Sequence, residues 1–115
     1  HLHKLLLASG CAATIDAAAV PLIPGVLDLA RSDVVPGGTQ RNHAFVAPAT
    51  DWGDLSMPEQ LLLADAQTSG GMLICTSDPD GLESALRERG VPFAAFGALG
   101  AGHAGAIRID GRLSE

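Results

Sequence analysis

The fold class predicted for this 115-residue chain is an α/β (α+β) sandwich, a mixed β-sheet covered by helices. Three observations carry that expectation. Apolar residues at helical spacing take turns with short apolar runs bounded by glycine. The elements read helix, strand, helix, long loop, helix, strand, helix, strand, strand, which is not the strict alternation of a doubly wound sheet. Hydrophobic residues make up 47% of the chain and charged residues 17%, enough apolar surface for a real core. With three Phe, one Trp and no Tyr, that core must be aliphatic. No internal repeat or linker is evident, so residues 1–115 read as a single domain.

Each element has a local cause. Leu2, Leu5 and Leu6 share the i, i+3, i+4 spacing of one helix face, and Ser9-Gly10 ends that helix. Cys11 to Ile15 reads as a short strand with Asp16 at its end. Pro21-Leu22-Ile23-Pro24 opens a second helix, with Pro24 in its first turn and Leu22, Val26, Leu29 and Ala30 as its buried stripe. Asp33 to Thr50 has no clear period and reads as a long loop, a feature that in a compact domain is usually functional or poorly ordered. Ser56-Met57-Pro58-Glu59 has the form of a capping box, and Leu61, Leu62 and Leu63 continue a helix that stops at Asp65. Met72 to Thr76 is the next expected strand. Asp78-Pro79 starts another helix, with Leu82, Ala85 and Leu86 on its apolar face, Glu83 and Arg87 paired at i, i+4, and Gly90 just past its end. Phe93 to Leu99 and Ala106 to Ile109 are the last expected strands, divided by a turn at Gly100, Gly102 and Gly105, and Arg112 to Glu115 reads as a tail.

Charge and cysteine usage narrow the function. The formal charge is -6 and no Lys/Arg run exists, so the basic footprint and stacking aromatics of a nucleic-acid binder are missing. No apolar stretch reaches the ~18 residues that span a bilayer. His1-Leu2-His3-Lys4 before Leu5-Leu6-Leu7 loosely mimics a signal peptide, but the run is too short. A chain that opens inside a helical pattern without Met is expected to be truncated at its N-terminus. Cys11 and Cys75 form no CxxC pair and read as small core residues, which fits a cytoplasmic location.

The chemistry concentrates in Asp65-Ala66-Gln67-Thr68-Ser69-Gly70-Gly71-Met72-Leu73-Ile74. Two glycines, two hydroxyls and an amide sit between a helix and an apolar run, where backbone amides can form an anion-binding concavity. Phosphate or nucleotide contact by Gln67, Thr68, Ser69, Gly70 and Gly71 is one reading; a turn that uses glycine for geometry alone is the other. Gly37, Gly38, Thr39 and Asn42, with Arg41, present the same choice in the long loop. Neither segment is a P-loop, and Gly100-Ala101-Gly102-His103-Ala104-Gly105 only superficially echoes GxGxxG, since no helix follows it. His1, His3, His43 and His103 form no HExxH, so no metal site is expected from them. Asp51, Asp54 and Asp65 could meet a metal or could simply cap turns. Trp52 reads as a packing anchor for the long loop, a substrate-edge role being the alternative.

The segment from Asp65 to Ile74 closely resembles the Asp-Pro-Gln-Thr-Ser-Gly-Gly-Leu-Leu motif of the selenophosphate synthetase (selenide, water dikinase) family, with Ala66 in place of the commoner Pro. His1-Leu2-His3, Ala17-Ala18-Ala19-Val20-Pro21, Val35-Pro36-Gly37-Gly38-Thr39-Gln40-Arg41-Asn42 and Asp51-Trp52 fit that family's C-terminal domain in the same order. The resemblance spans nearly the whole chain. It implies a C-terminal domain of the aminoimidazole ribonucleotide synthetase-like type, preceded in the whole protein by an ATP-binding half. It implies a reaction in which ATP, selenide and water give selenophosphate, AMP and phosphate with Mg²⁺. The family's catalytic Cys or selenocysteine, its Lys and its metal-binding aspartates belong to the N-terminal half, so no catalytic or metal-ligating residue carries over and the chain alone is expected to be inactive. Expected partners are its own N-terminal domain, selenide, ATP and a second copy in a homodimer, with no nucleic acid and no membrane. A free-standing phosphate- or nucleotide-binding module of the same fold, and a sibling enzyme acting on another phosphorylated substrate, are the alternatives.

Overall fold

The computed structural model describes residues 1–114. Helix α1 (Leu2–Ser9) is closed by Gly10 in the left-handed conformation, φ 66°, whose N–H reaches back to the Leu6 and Leu7 carbonyls. Strand β1 (Ala12–Asp16) follows. The Asp16 carboxylate then accepts from the Ala18 N–H and nucleates a 3₁₀ turn over Ala17–Ala19. Helix α2 (Val26–Arg31), α3 (Gly37–Val46), the two-residue strand β2 (Thr50–Asp51), α4 (Met57–Leu63), α5 (Pro79–Glu88), β3 (Gly97–Gly100) and β4 (Ile107–Asp110) complete the order.

The four strands form one mixed sheet in the order β2-β4-β1-β3. β1 pairs antiparallel with β3 and parallel with β4, and β4 pairs parallel with β2. The register sets Ile15 beside Ile109 and Ala13 beside Ile107. These residues point to the helix side, where Ile15, Ala17, Leu55, Ile109 and Leu113 form the core. Leu2 of α1, Leu62 and Leu63 of α4, and Trp52 pack around it. This is the mixed α/β arrangement the pattern predicts.

Several local expectations are corrected. The long loop expected at 33–50 contains α3. Pro36, extended at ψ 143°, starts the helix, and its period is hidden because the face it packs is polar. α2 begins at Val26, because Gly25 at φ 82° delays the start past Pro24. Its buried residues are therefore Leu27 and Ala30, while Leu29 is exposed. Met72 to Thr76 joins no strand ladder among the described residues. Met72 and Ile74 are exposed, and an apolar run becomes a strand only where a partner edge accepts it. Cys75 is accordingly exposed rather than a core residue, and Cys11 is half-buried; both are free thiols. β3 is shorter than the expected Phe93 to Leu99, and Phe93 lies instead under the Arg87 guanidinium, 5.2 Å from its ring centre.

The end of the chain docks rather than trailing as a tail, Glu115 lying outside the described residues. Leu113 is buried in the core, and Arg112 meets Glu59. Glu59 is the third residue of α4 and is 2% exposed. It closes the capping box expected at Ser56, accepting from the Ser56 N–H at 2.8 Å and the Ser56 hydroxyl at 2.5 Å. It also accepts from Arg112 Nε at 3.2 Å, Arg112 Nη2 at 2.7 Å and the Leu113 N–H at 3.3 Å. The Arg112 bonds, aided by those from Ser56, overcome burial and lower its pKa from 4.5 to about 2.

A carboxylate whose pKa falls on folding stabilises the fold above its unfolded pKa and loses that contribution as pH drops through the folded value. Glu59 should therefore contribute about 3 kcal/mol at pH 7. That contribution should fade between pH 4.5 and about 2. Glu59→Gln should destabilise the chain by a similar amount at pH 7 and flatten this acid limb, as read by urea unfolding at pH 7, 4 and 3. An unchanged acid limb in the variant would remove Glu59 from the account.

Candidate functional site

The end of α4 leads into the glycine segment. Ala64 is buried and caps the helix, and the chain then turns through Asp65 into the exposed residues 66–71. Asp65, Gln67, Thr68, Ser69, Gly70, Gly71 and Ile23 line an open cleft of about 480 Å³. One carboxylate, one amide, two hydroxyls and a glycine backbone therefore share a single concave surface. All five loop residues singled out in the sequence fall on it.

The second group of candidates sits at the base of this loop. Thr39 is 1% exposed, and its hydroxyl serves as both donor and acceptor. It donates to Asp65 Oδ1 at 2.6 Å and accepts from the Ala66 N–H at 3.1 Å. Asn42 Nδ2 donates to the Ala64 carbonyl at 3.2 Å. Gly38 packs so close that a Cβ there would stand 3.1 Å from Ala66 Cβ. Gly37 lies beside the Arg41 guanidinium, with 3.6 Å between a Cβ built there and Arg41 Nη1. The structure thus brings the two glycine-containing segments together, with different parts to play. Gln67 to Gly71 form the cleft surface, whereas Gly38, Thr39 and Asn42 hold its root.

Two residues that the sequence reading did not select complete the seam. His43 Nε2 lies 2.9 Å from Gln60 Oε1. Gln60 Nε2 donates to the Leu55 carbonyl at 2.9 Å, which leaves Oε1 as the acceptor and puts the proton on His43 Nε2. The His43 ring stacks on Trp52, with centroids 5.1 Å apart and planes at 24°. Trp52 is thus the packing anchor its position suggested, against a helix rather than a loop. Its buried Nε1 has no hydrogen-bond partner among the described residues. The spacing Thr39, Asn42, His43 is a helical i, i+3, i+4 stripe, a signal that was present but polar.

The remaining motifs lie elsewhere. Gly100 to Gly105 is a turn, closed by the Ala106 N–H on the His103 carbonyl at 2.9 Å. His3 Nδ1 donates to the Gly105 carbonyl at 2.8 Å. A wider hollow of about 630 Å³ opens on the Thr14 and Arg108 side of the sheet, lined mostly by small residues; Asp51 and His103 reach it, and none of the phosphate candidates does. Among the described residues no group of three or more His, Cys, Asp or Glu side chains converges to hold a metal, and no helix is long and apolar enough to cross a membrane.

Comparison with known proteins adds a relationship to this geometry. No protein-family model matches the chain. A selenide, water dikinase of Myxococcus xanthus (strain DK1622) is 39% identical over 109 residues, covering 91% of this chain and 31% of that protein. A selenide, water dikinase of Colwellia psychrerythraea is 37% identical over 102 residues, covering 86% of this chain and 29% of the relative. That of Escherichia coli (strain K12) is 32% identical over 116 residues, covering 96% and 32%. The chain spans about a third of the length of the curated relatives it matches.

The packing at Gly38 predicts a contrast. Gly38→Val should destabilise the chain by roughly 1–3 kcal/mol by forcing α3 off Ala66. Gly37→Ala, which meets only ordinary contact, should be neutral or stabilising by up to about 1 kcal/mol through helix propensity. Thermal unfolding of both variants checks this, and equal losses would contradict the packing described.

Proposed function

By sequence this chain belongs to the selenide, water dikinase family, and from that premise we propose that it is the C-terminal domain of an enzyme that makes selenophosphate from selenide and ATP. The observation that carries the reading is the identity of 39% over 109 residues to a selenide, water dikinase. AMP and phosphate are the co-products, and the whole protein is a cytoplasmic homodimer. The nucleophilic Cys or selenocysteine, its Lys and the aspartates that hold Mg²⁺ belong to the ATP-binding half. The chain alone turns over no substrate.

This domain's part is to receive phosphate. The cleft surface from Gln67 to Gly71 offers backbone N–H groups, the Thr68 and Ser69 hydroxyls and the Gln67 amide, all exposed. Neutral donors of this kind suit an anion on a domain of net charge -6, since they recognise phosphate oxygens through fixed dipoles. Thr39 and Asp65 hold the root of the loop so that little order has to be imposed when the anion arrives. Gly37, Gly38 and Asn42 act through the same support, with Arg41 supplying positive charge at the start of α3.

Gly71 separates this reading from a purely structural one. A Cβ at Gly71 would meet nothing within 4 Å, so Gly71→Val leaves the fold intact. In the protein that includes the ATP-binding half, Gly71→Val should lower selenide-dependent AMP formation by about tenfold or more, because a branched side chain blocks close approach of phosphate to the backbone. Unchanged turnover per folded molecule would reduce the loop to a turn. Selenide-independent nucleotide binding by the 115-residue chain, in a protein whose coding frame holds no ATP-binding half, would favour a free-standing binding module instead.

A further inference from the structure

Helix α3 is attached to the rest of the chain in an unusual way. Its one buried residue is Thr39, a polar side chain. Ala44 and Phe45 are exposed and Val46 is half-buried, so no apolar side chain of α3 is buried in the core. Its ties to α4 and the glycine loop are polar: Thr39 to Asp65 and Ala66, Asn42 to the Ala64 carbonyl, and His43 to Gln60. Two ring contacts add to these, His43 on Trp52 and Phe45 edge-on to His3 at 5.7 Å. Extended Pro36 precedes the helix, which runs on into a 3₁₀ turn at Ala47–Ala49 where the Thr50 hydroxyl donates to the Val46 carbonyl at 2.9 Å. By contrast α4 holds the buried Glu59 and contributes Leu62 and Leu63 to the core.

Segments with few buried apolar contacts open at lower free energy than the core. We propose that α3 is a hinged flap that opens as a unit while the sheet and α4 stay folded, and that its opening releases Asp65 Oδ1 and the Ala66 N–H from Thr39. In the closed state Thr39 occupies both of these groups. In the open state both groups lose their Thr39 partner, so the flap governs how many unpaired polar groups stand at the cleft that Asp65 already lines. The flap rests on the contacts of α3 alone and stands whether or not the cleft takes phosphate.

Native-state hydrogen exchange on the full chain, followed with increasing low concentrations of urea, tests this. The amides of α3 should exchange at least about tenfold faster than those of β1 and β4, with little dependence on urea, because local opening exposes little surface. Thr39→Val should speed exchange in α3 and at Ala66 by about tenfold while leaving β1 and β4 unchanged. Asn42→Ala, at an exposed position, should do the same in α3 and serves if the Thr39 variant does not fold. Exchange of α3 with the same protection and urea dependence as β1 and β4 would overturn the flap, as would an equal acceleration at every amide in either variant.

Discussion

One buried carboxylate sets the frame. Glu59 lies at 2% exposure with donors from Ser56, Arg112 and Leu113 around it. An unpaired charge at that depth would be costly, so the pairing leaves few alternative placements for the elements that supply the donors. The start of α4 and the segment after β4 are thereby held together, and Leu113 is carried into the core beside Ile15 and Ile109. Gly53, at φ 53°, supports the same junction, since any side chain there would run into the Ile109 carbonyl, 2.6 Å from a Cβ. With the start of α4 fixed, its far end delivers Asp65 and the glycine loop to one place.

From that point the structure uses polar contacts where apolar ones are usual. The seam between α3 and α4 runs from Gln60 and His43 to Ala64 and Asn42, and ends at Asp65, Ala66 and Thr39. Such bonds are individually modest, about 1 kcal/mol net each, but they are directional. They give the loop a defined root without sealing it into the core. The phosphate-receiving role proposed for this loop needs that combination of position and accessibility.

The elements that could be read from the sequence were those whose cause is local. The Leu2, Leu5, Leu6 stripe with Gly10, the capping box at Ser56 and Glu59, the Glu83–Arg87 pair and the Gly90 stop all appear as expected. α3 was not legible because its period lies in Thr39, Asn42 and His43, and a search for apolar stripes passes over it. The Met72 to Thr76 run misled for the opposite reason, being apolar without a ladder partner. The Glu59–Arg112 pair, 53 residues apart in the chain, leaves no local trace. The cleft residues Gln67 to Gly71 were visible as a motif, but the support beneath them, and the presence of Ile23 in the cleft lining, depend on tertiary packing.

The central claim is that the loop from Gln67 to Gly71, rooted by Thr39 and Asp65, receives phosphate in a selenide, water dikinase. The most direct measurement is the amide NMR spectrum of the protein with its ATP-binding half, titrated with a non-hydrolysable ATP analogue. The account predicts saturable shifts at Gln67, Thr68, Ser69, Gly70 and Gly71, with β1 and β4 unmoved. Shifts confined to the ATP-binding half, with these five amides unchanged at saturation, would contradict it.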